Sequence, residues 1–309
     1  MIDDNRPLIS YVVTAYNLES FIAESIECAF AQTYQPLEII LSDDCSTDRT
    51  YEIMQEKAKG YNGPHTVILN RNERNLGITC HMNRAYLELP HGEWIVAAHG
   101  DDISKPDRVE KAWEYLQKHQ DTSALSFSMD AINETGQPMK QHSAVVDREL
   151  TYTFETGGNI PAPSRCFSKK VMEIFGPMGE DCPTEDEVIS FRSLMLGKNV
   201  FLPQHMVLYR KHKGSASNPE NFPLFPLSLI LKQQKTDMEK AVLLGLITEE
   251  DYKRKLISLE KNMHIRDRYR KYYSDRSFGN LLVLLSLKDV GIKRKMCYIK
   301  EHMLFFIRR

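Results

Sequence analysis

The chain has 309 residues, 42% of them hydrophobic and 27% charged, with a net charge of −2; this excludes a disordered polymer and allows one large domain with an appendage. The N-terminus MIDDNRPLIS lacks a charged-then-apolar leader, and no apolar run reaches the roughly 18 residues needed to span a bilayer, so the cytosol is the expected place. Six cysteines without CxxC spacing suggest neither a zinc site nor a disulfide frame and are expected to be free thiols.

In chain order, Leu8 to Val13, Leu37 to Leu41, Thr66 to Leu69 and Trp94 to Ala98 are short, β-branched and almost continuously apolar, the pattern of buried strands. Between them, Leu18 to Gln32, Asp48 to Ala58 and Ile78 to Leu89 repeat apolar residues at three and four positions, the pattern of helices. This βαβ repetition predicts a mostly parallel sheet with right-handed crossovers, whose ligand lies beyond the carboxyl ends of the strands. Three polar groups fall there: Thr14 to Asn17, the pair Asp43 and Asp44, and the pair Asp101 and Asp102.

Beyond Ser123 the alternation weakens. Leu125, Phe127 and Met129 predict a strand, Asn133 to Arg148 a polar loop, and Gly157 to Pro163 a shaped loop rich in Gly and Pro. Short helices are expected at Lys169 to Phe175 and Glu185 to Leu196, with a strand over Asn199 to Tyr209. From about Phe225 the pattern is helical, and a domain boundary is placed near Asn221.

Asp101 and Asp102 are the most telling residues. Two adjacent carboxylates at the end of a buried strand repel each other, and a divalent cation lets both stay ionised. Competing structural explanations exist at several motifs. Ser46 and Thr47 are good N-caps, Ser104 with Asp107 fits a capping box, and so does Thr184 with Glu187.

The blocks VVTAYNLESF, SDDCSTD, NLGITCHMNRAY, GDDISKPDR, TEDEV and YRKHKGSAS, running in order from about Leu8 to Ser217, resemble the family 2 glycosyltransferases. The resemblance implies a GT-A Rossmann-like α/β catalytic domain over 1–221, nucleotide-binding to 120 and acceptor-binding from 121, followed by a helical C-terminal region over 222–309. It also implies transfer of a sugar from a nucleotide-sugar, a UDP-sugar first, to a glycan or lipid-linked acceptor in bacterial surface polysaccharide synthesis. Inversion at the sugar and a Mg²⁺ or Mn²⁺ cofactor are part of the expectation, and nucleic acid is not an expected partner.

Residue by residue, the resemblance places Thr14, Tyr16, Asn17, Glu19, Asp43, Asp44, Asn83, Asp101 and Arg210 around the donor. Asp102 and His212 would hold the metal, and Asp186, with Glu185 as fallback, would be the general base. Two departures stand out: His99 replaces an aspartate two residues before Asp101, and Met82 replaces an arginine before Asn83, leaving Arg84 or Lys213 as other cations for phosphate. A nucleotidyltransferase would carry a glycine- and arginine-rich loop that does not follow Val13, while a non-catalytic sugar-nucleotide binder would lack Asp102 or Asp186.

The last 22 residues carry seven Lys or Arg against two acids, interleaved with Met296, Ile299, Met303, Leu304, Phe305, Phe306 and Ile307. A basic amphipathic helix of this kind suits the inner face of an anionic membrane, or packing on the catalytic domain or on another subunit in a homo-oligomer.

Overall fold

The computed structural model describes residues 6–140, 144–215 and 226–307. The chain divides into two compact units, Met1–Phe225 and Pro226–Arg309. The boundary expected at Asn221 lies outside the described residues, as do Ala216 and Ser217 of the YRKHKGSAS block.

In the first unit, β1 (Ile9–Ala15), α1 (Ile22–Phe30), β2 (Leu37–Asp43), α2 (Thr50–Gly60), β3 (Thr66–Arg71), α3 (Ile78–Asn83) and β4 (Trp94–His99) follow the predicted alternation. After them come β5 (Ile103–Ser104), α4 (Arg108–Leu116), β6 (Thr122–Ile132), β7 (Leu150–Tyr152), β8 (Cys166–Ser168), α5 (Lys170–Phe175), α6 (Asp186–Leu194) and β9 (Lys198–Arg210). The sheet runs β3-β2-β1-β4-β8-β6-β9-β5, with β7 also paired to β9. Its N-terminal half is parallel, because β2 and β4 flank β1 and β3 flanks β2 in that sense. Toward β9 the sheet is mixed: β8 runs antiparallel between β4 and β6, while β6 and β9 pair in parallel.

Both faces of β1, β2 and β4 are buried, which is why these strands read as continuous apolar runs, whereas β3 at the edge is largely exposed. Tyr11, Val13, Ile39 and Val96 face one core with Ile22, Ile26 and Val109. Val12, Ile40 and Ile95 face the other with Tyr86, Phe167 and Ile189. This period of two sends alternate side chains to opposite faces.

The helix predicted over Ile78 to Leu89 is instead a six-residue α3 followed by a wider π turn, Arg84–Glu88, that keeps Ala85 and Tyr86 buried. None of the three capping explanations holds. The helix after Ser46 and Thr47 starts only at Thr50, and Ser46 accepts from Asn17 N and donates to Asp43. Ser104 Oγ accepts from Tyr11 Oη and Arg108 Nη1, and neither α4 nor α6 has a side-chain hydrogen bond at its cap.

The second unit contains α7 (Leu227–Leu243), α8 (Glu249–Ser274), α9 (Phe278–Ser286) and α10 (Ile292–Ile307). Thr248 and Asp251 form a reciprocal capping box that starts α8. Tyr272, Leu281, Leu284, Val290 and Tyr298 make a small core of their own. No helix among the described residues is long and apolar enough to cross a membrane. None of the six cysteines is in a disulfide.

Candidate active site

The carboxyl ends of β1, β2 and β4 open onto a cavity of about 790 Å³, within the usual size of small-molecule sites. The loops leaving these strands continue their ladders: Asp44 N donates to Ala15 O at 2.9 Å and Gly100 N to Thr14 O at 2.9 Å. Of the residues predicted for the site, Thr14, Tyr16, Asp44, Asp101, Glu185, Asp186 and His212 line this one cavity. They come from five separate stretches of sequence, and the fold brings them together.

At the β2 end, Asp44 is held rigidly. Its Oδ1 accepts from Asn72 Nδ2 at 2.8 Å and Leu76 N at 2.9 Å, and its Oδ2 accepts from Gly77 N at 3.0 Å. Tyr16 is 44% exposed on the cavity wall, a flat ring available for stacking. His81, unremarked in the sequence, also lines the wall, with Nε2 2.8 Å from Ser42 Oγ. Burial holds its imidazole below the usual range, against the pull of Asp44 and Asp43, which favours the neutral ring.

At the β4 end, ligand atoms of His99, Asp101 and Asp102 lie within 4.8 Å of one another. Asp102 is 4% exposed; its Oδ1 accepts from Arg210 N at 2.9 Å, and its Oδ2 has no hydrogen-bond partner among the described residues. His99 Nε2 is likewise buried without one. Burial, then the neighbouring charge of Asp101, pushes the Asp102 carboxyl well up. An imidazole and two carboxylates, with His99 Nε2 and Asp102 Oδ2 buried and unpartnered among the described residues, fit a divalent cation of the Mg²⁺ or Mn²⁺ kind. His212 stands beside this trio, Nε2 2.9 Å from Asp101 Oδ2, with its ring 4.7 Å from that of Phe21. The signal for His99 was its position, which the comparison with an aspartate hid.

Across the cavity, Glu185 and Asp186 stand at the start of α6. Glu185 is 6% exposed, and burial followed by the charge of Asp186 and a hydrogen bond with it raises its carboxyl well above the ordinary range. Like charges this close oppose each other, so ionising both carboxyl groups at once is disfavoured. Pro161, Ala162 and Pro163 of the Gly/Pro loop form the adjoining wall.

The remaining predicted residues are not on the wall. Asn17 has φ 52°, a left-handed conformation that asparagine tolerates, and its Oδ1 accepts from Thr47 N at 2.9 Å, fastening two loops together. Glu19 accepts from Arg49 N at 3.0 Å. Asp43 is fully buried; it accepts from Ser46 N at 3.0 Å and faces Arg71 Nε at 3.5 Å. Asn83 exchanges two hydrogen bonds with the backbone of Met178, both 2.8 Å. Arg84 donates to Asn70 Oδ1 at 3.0 Å. Arg210 is 2% exposed, and its guanidinium is consumed by the carbonyls of Asp101, Asn133 and Glu134 and by the Glu24 carboxylate. The cation that does line the cavity is its neighbour Lys211, just past the end of β9.

The chain is also similar in sequence and in fold to other proteins. Over 133 residues the chain is 35% identical to the putative glycosyltransferase EpsE of Bacillus subtilis, covering 43% of this chain and 47% of that one. Over 123 residues it is 32% identical to the putative teichuronic acid biosynthesis glycosyltransferase TuaG of the same organism, covering 40% and 46%. These matches thus span about half the length of each relative. The crystal structure of S. aureus TarS 1-349 in complex with UDP-GlcNAc superposes with a TM-score of 0.64 at 18% identity, over 95% of this chain and 80% of that one, so the fold is that of the GT-A proteins. Residues 10–172, which carry β1 through the start of α5 and with them both aspartate pairs, match glycosyl transferase family 2, and the chain belongs to that family.

Proposed function

We propose that the protein is a metal-dependent, inverting glycosyltransferase that moves a sugar from a nucleotide-sugar, a UDP-sugar first, to a glycan or lipid-linked acceptor in bacterial surface polysaccharide synthesis. The observation that carries this reading is that the His99–Asp101–Asp102 cluster and the Glu185–Asp186 pair face one cavity large enough for donor and acceptor together. The kinds of relative support it too: a teichuronic acid biosynthesis protein by sequence and a UDP-GlcNAc complex by fold.

In this reading residues up to 120 bind the nucleotide and those from 121 to 221 the acceptor. The base stacks on Tyr16, and an N–H of it is accepted by Asp44, whose own donors fix its orientation. Asp102, Asp101 and His99 would hold the cation, with His212 aligning Asp101. When bound, that cation offsets the charge that builds on the departing diphosphate. Lys211 adds positive charge at the same place.

Asp186 accepts the proton of the acceptor hydroxyl as its oxygen forms the new bond to the anomeric carbon. The bond from that carbon to the diphosphate breaks on the opposite face, so configuration inverts. Burial and the neighbouring Asp186 favour the neutral form of Glu185, which limits like charge beside the base. The exposed basic helix α10, with Ile292, Met296 and Met303 at 81%, 60% and 58% exposure, would rest on the anionic membrane that carries a lipid-linked acceptor.

Calorimetry with UDP, GDP, CDP and dTDP, with Mn²⁺ present and then chelated, tests the reading. Micromolar binding of one nucleotide that is lost on chelation is the expected result. Absence of binding by all four, with Mn²⁺ present, would overturn it in favour of a differently purposed protein of the same fold.

A further inference from the structure

Two arginines, Arg108 and Arg165, are each 1% exposed beneath the cavity floor. Arg165 ties together three parts of the site. Its carbonyl accepts from Ala97 N at 2.9 Å and from Arg108 Nη2 at 3.3 Å, fixing it to the strand that ends in Asp101 and Asp102. Its Nη2 donates to Ile160 O at 2.7 Å, in the Gly/Pro loop, and to Asp186 O at 3.1 Å, at the start of α6. Ser190, one turn further along α6, closes the same arrangement, since Ile160 N donates to its Oγ at 3.3 Å. Its Nε has no hydrogen-bond partner among the described residues, so no carboxylate clamps the guanidinium and its charge is not locally cancelled.

A buried cation without a clamping carboxylate is costly unless a negative charge lies close by. Arg165 grips the backbone of one acid, Asp186, and its charge favours ionisation of the adjacent Glu185. We propose that Arg165 is a positioning residue for the Glu185–Asp186 pair: it fixes the first turn of α6 against the Ile160 loop and brings a positive charge to that turn. This rests on the function proposed above but concerns a residue that touches neither donor nor acceptor. The charged and titratable groups facing Glu185 are Asp186 beside it, Arg165 from below and Tyr86 from the π turn. Asp186 opposes ionisation of Glu185, and Arg165 favours it.

The test is infrared spectroscopy of the full chain over a pH series, following the carbonyl stretch of protonated carboxyl groups, with UDP–Mn²⁺ binding as the check of folding. A band that Glu185→Gln removes reports the pair. In Arg165→Gln its titration moves up by about one unit or more, the effect of removing a nearby opposite charge. Arg165→Lys keeps the charge but loses the fork; its titration stays near that of the unaltered protein, while kcat for transfer falls about tenfold or more with donor KM unchanged. An unmoved titration in Arg165→Gln that still binds UDP would overturn the proposal. If Arg165→Gln does not fold, an Arg165→Lys enzyme with unaltered kcat would overturn it instead. The infrared titration reads the pair whether or not a sugar is transferred, so failure of the transferase reading is a separate result.

Discussion

Asp102 and Arg210, 108 residues apart in sequence, are joined by a hydrogen bond that a second one supports: Asp102 Oδ1 accepts the Arg210 N–H at 2.9 Å, and Arg210 Nε donates to the carbonyl of Asp101 at 2.9 Å. One oxygen of Asp102 is therefore spent on architecture, and the other is left buried and free of hydrogen bonds among the described residues. Asp102→Asn keeps an acceptor for the Arg210 N–H but removes the charge. It is expected to fold normally and to lose the Mn²⁺-dependent part of nucleotide binding, at least tenfold by calorimetry. Binding that still responds to chelation as strongly as before would remove Asp102 from the metal site.

Arg210 itself is expected to matter for stability more than for donor contact, because its guanidinium donates to three carbonyls and one carboxylate inside the protein. Arg210→Met should cost about 1.5–3 kcal/mol, as for losing hydrogen bonds to a charged group and stranding their acceptors. Denaturant unfolding measures this. A drop in nucleotide affinity with no loss of stability would return Arg210 to the donor site.

Asp186→Ala should leave nucleotide binding intact and lower transfer by about 10² to 10⁴, the usual contribution of a positioned general base. Isothermal binding and a coupled diphosphate-release assay separate the two effects. Equal losses in both would count against the role. Glu185→Gln, which keeps the neutral state that burial favours, should be the milder of the two substitutions.

At the far edge of the sheet, Glu38 links β1, β2 and the turn before β4. Its Oε1 accepts from Ser10 Oγ at 2.5 Å, His91 N at 2.6 Å and Gly92 N at 3.2 Å, and its Oε2 faces His91 Nδ1 at 3.0 Å. Burial alone would raise its carboxyl, but the hydrogen bonds from Ser10, His91 and Gly92 outweigh it and hold it below the ordinary value of 4.5. An acid with a depressed folded pKa contributes stability that is present above 4.5 and lost as pH falls through the folded value. Glu38→Gln should therefore lose about 1–3 kcal/mol at neutral pH, and the difference from the unaltered protein should shrink in acid. Thermal melts from neutral pH down to pH about 3 would detect it; a constant difference would mean that shape, not charge, accounts for the loss.

The alternation of strands and helices through residue 99 was legible because β-branched runs and 3.6-residue repeats are local signals, and both faces of β1, β2 and β4 are covered. The short strands β5, β7 and β8 were not: two or three residues carry no periodicity, and they exist only because long partners offer them hydrogen bonds. The π turn at Arg84–Glu88 escaped for a related reason, since its sequence fits a plain helix and only packing against the sheet selects the wider turn. His81, His99 and Lys211 lie beside motif residues, yet only side-chain direction in the folded chain puts them on the cavity wall.

By itself the sequence determined the parallel half of the sheet and which loops gather at its edge, because strand order and crossover hand follow from the repeating pattern and the chirality of the chain. Tertiary structure alone decided which of the clustered polar groups face the cavity and which are used up in holding it. Asp44 and Asp43 are neighbours of the same type, but successive side chains point in opposite directions, and one reaches the cavity while the other is consumed by Ser46 and Arg71. The buried arginines were invisible as a unit for the same reason: nothing local connects residue 108 to residue 165, and the hydrogen bond between them exists only after β4 and β8 have paired.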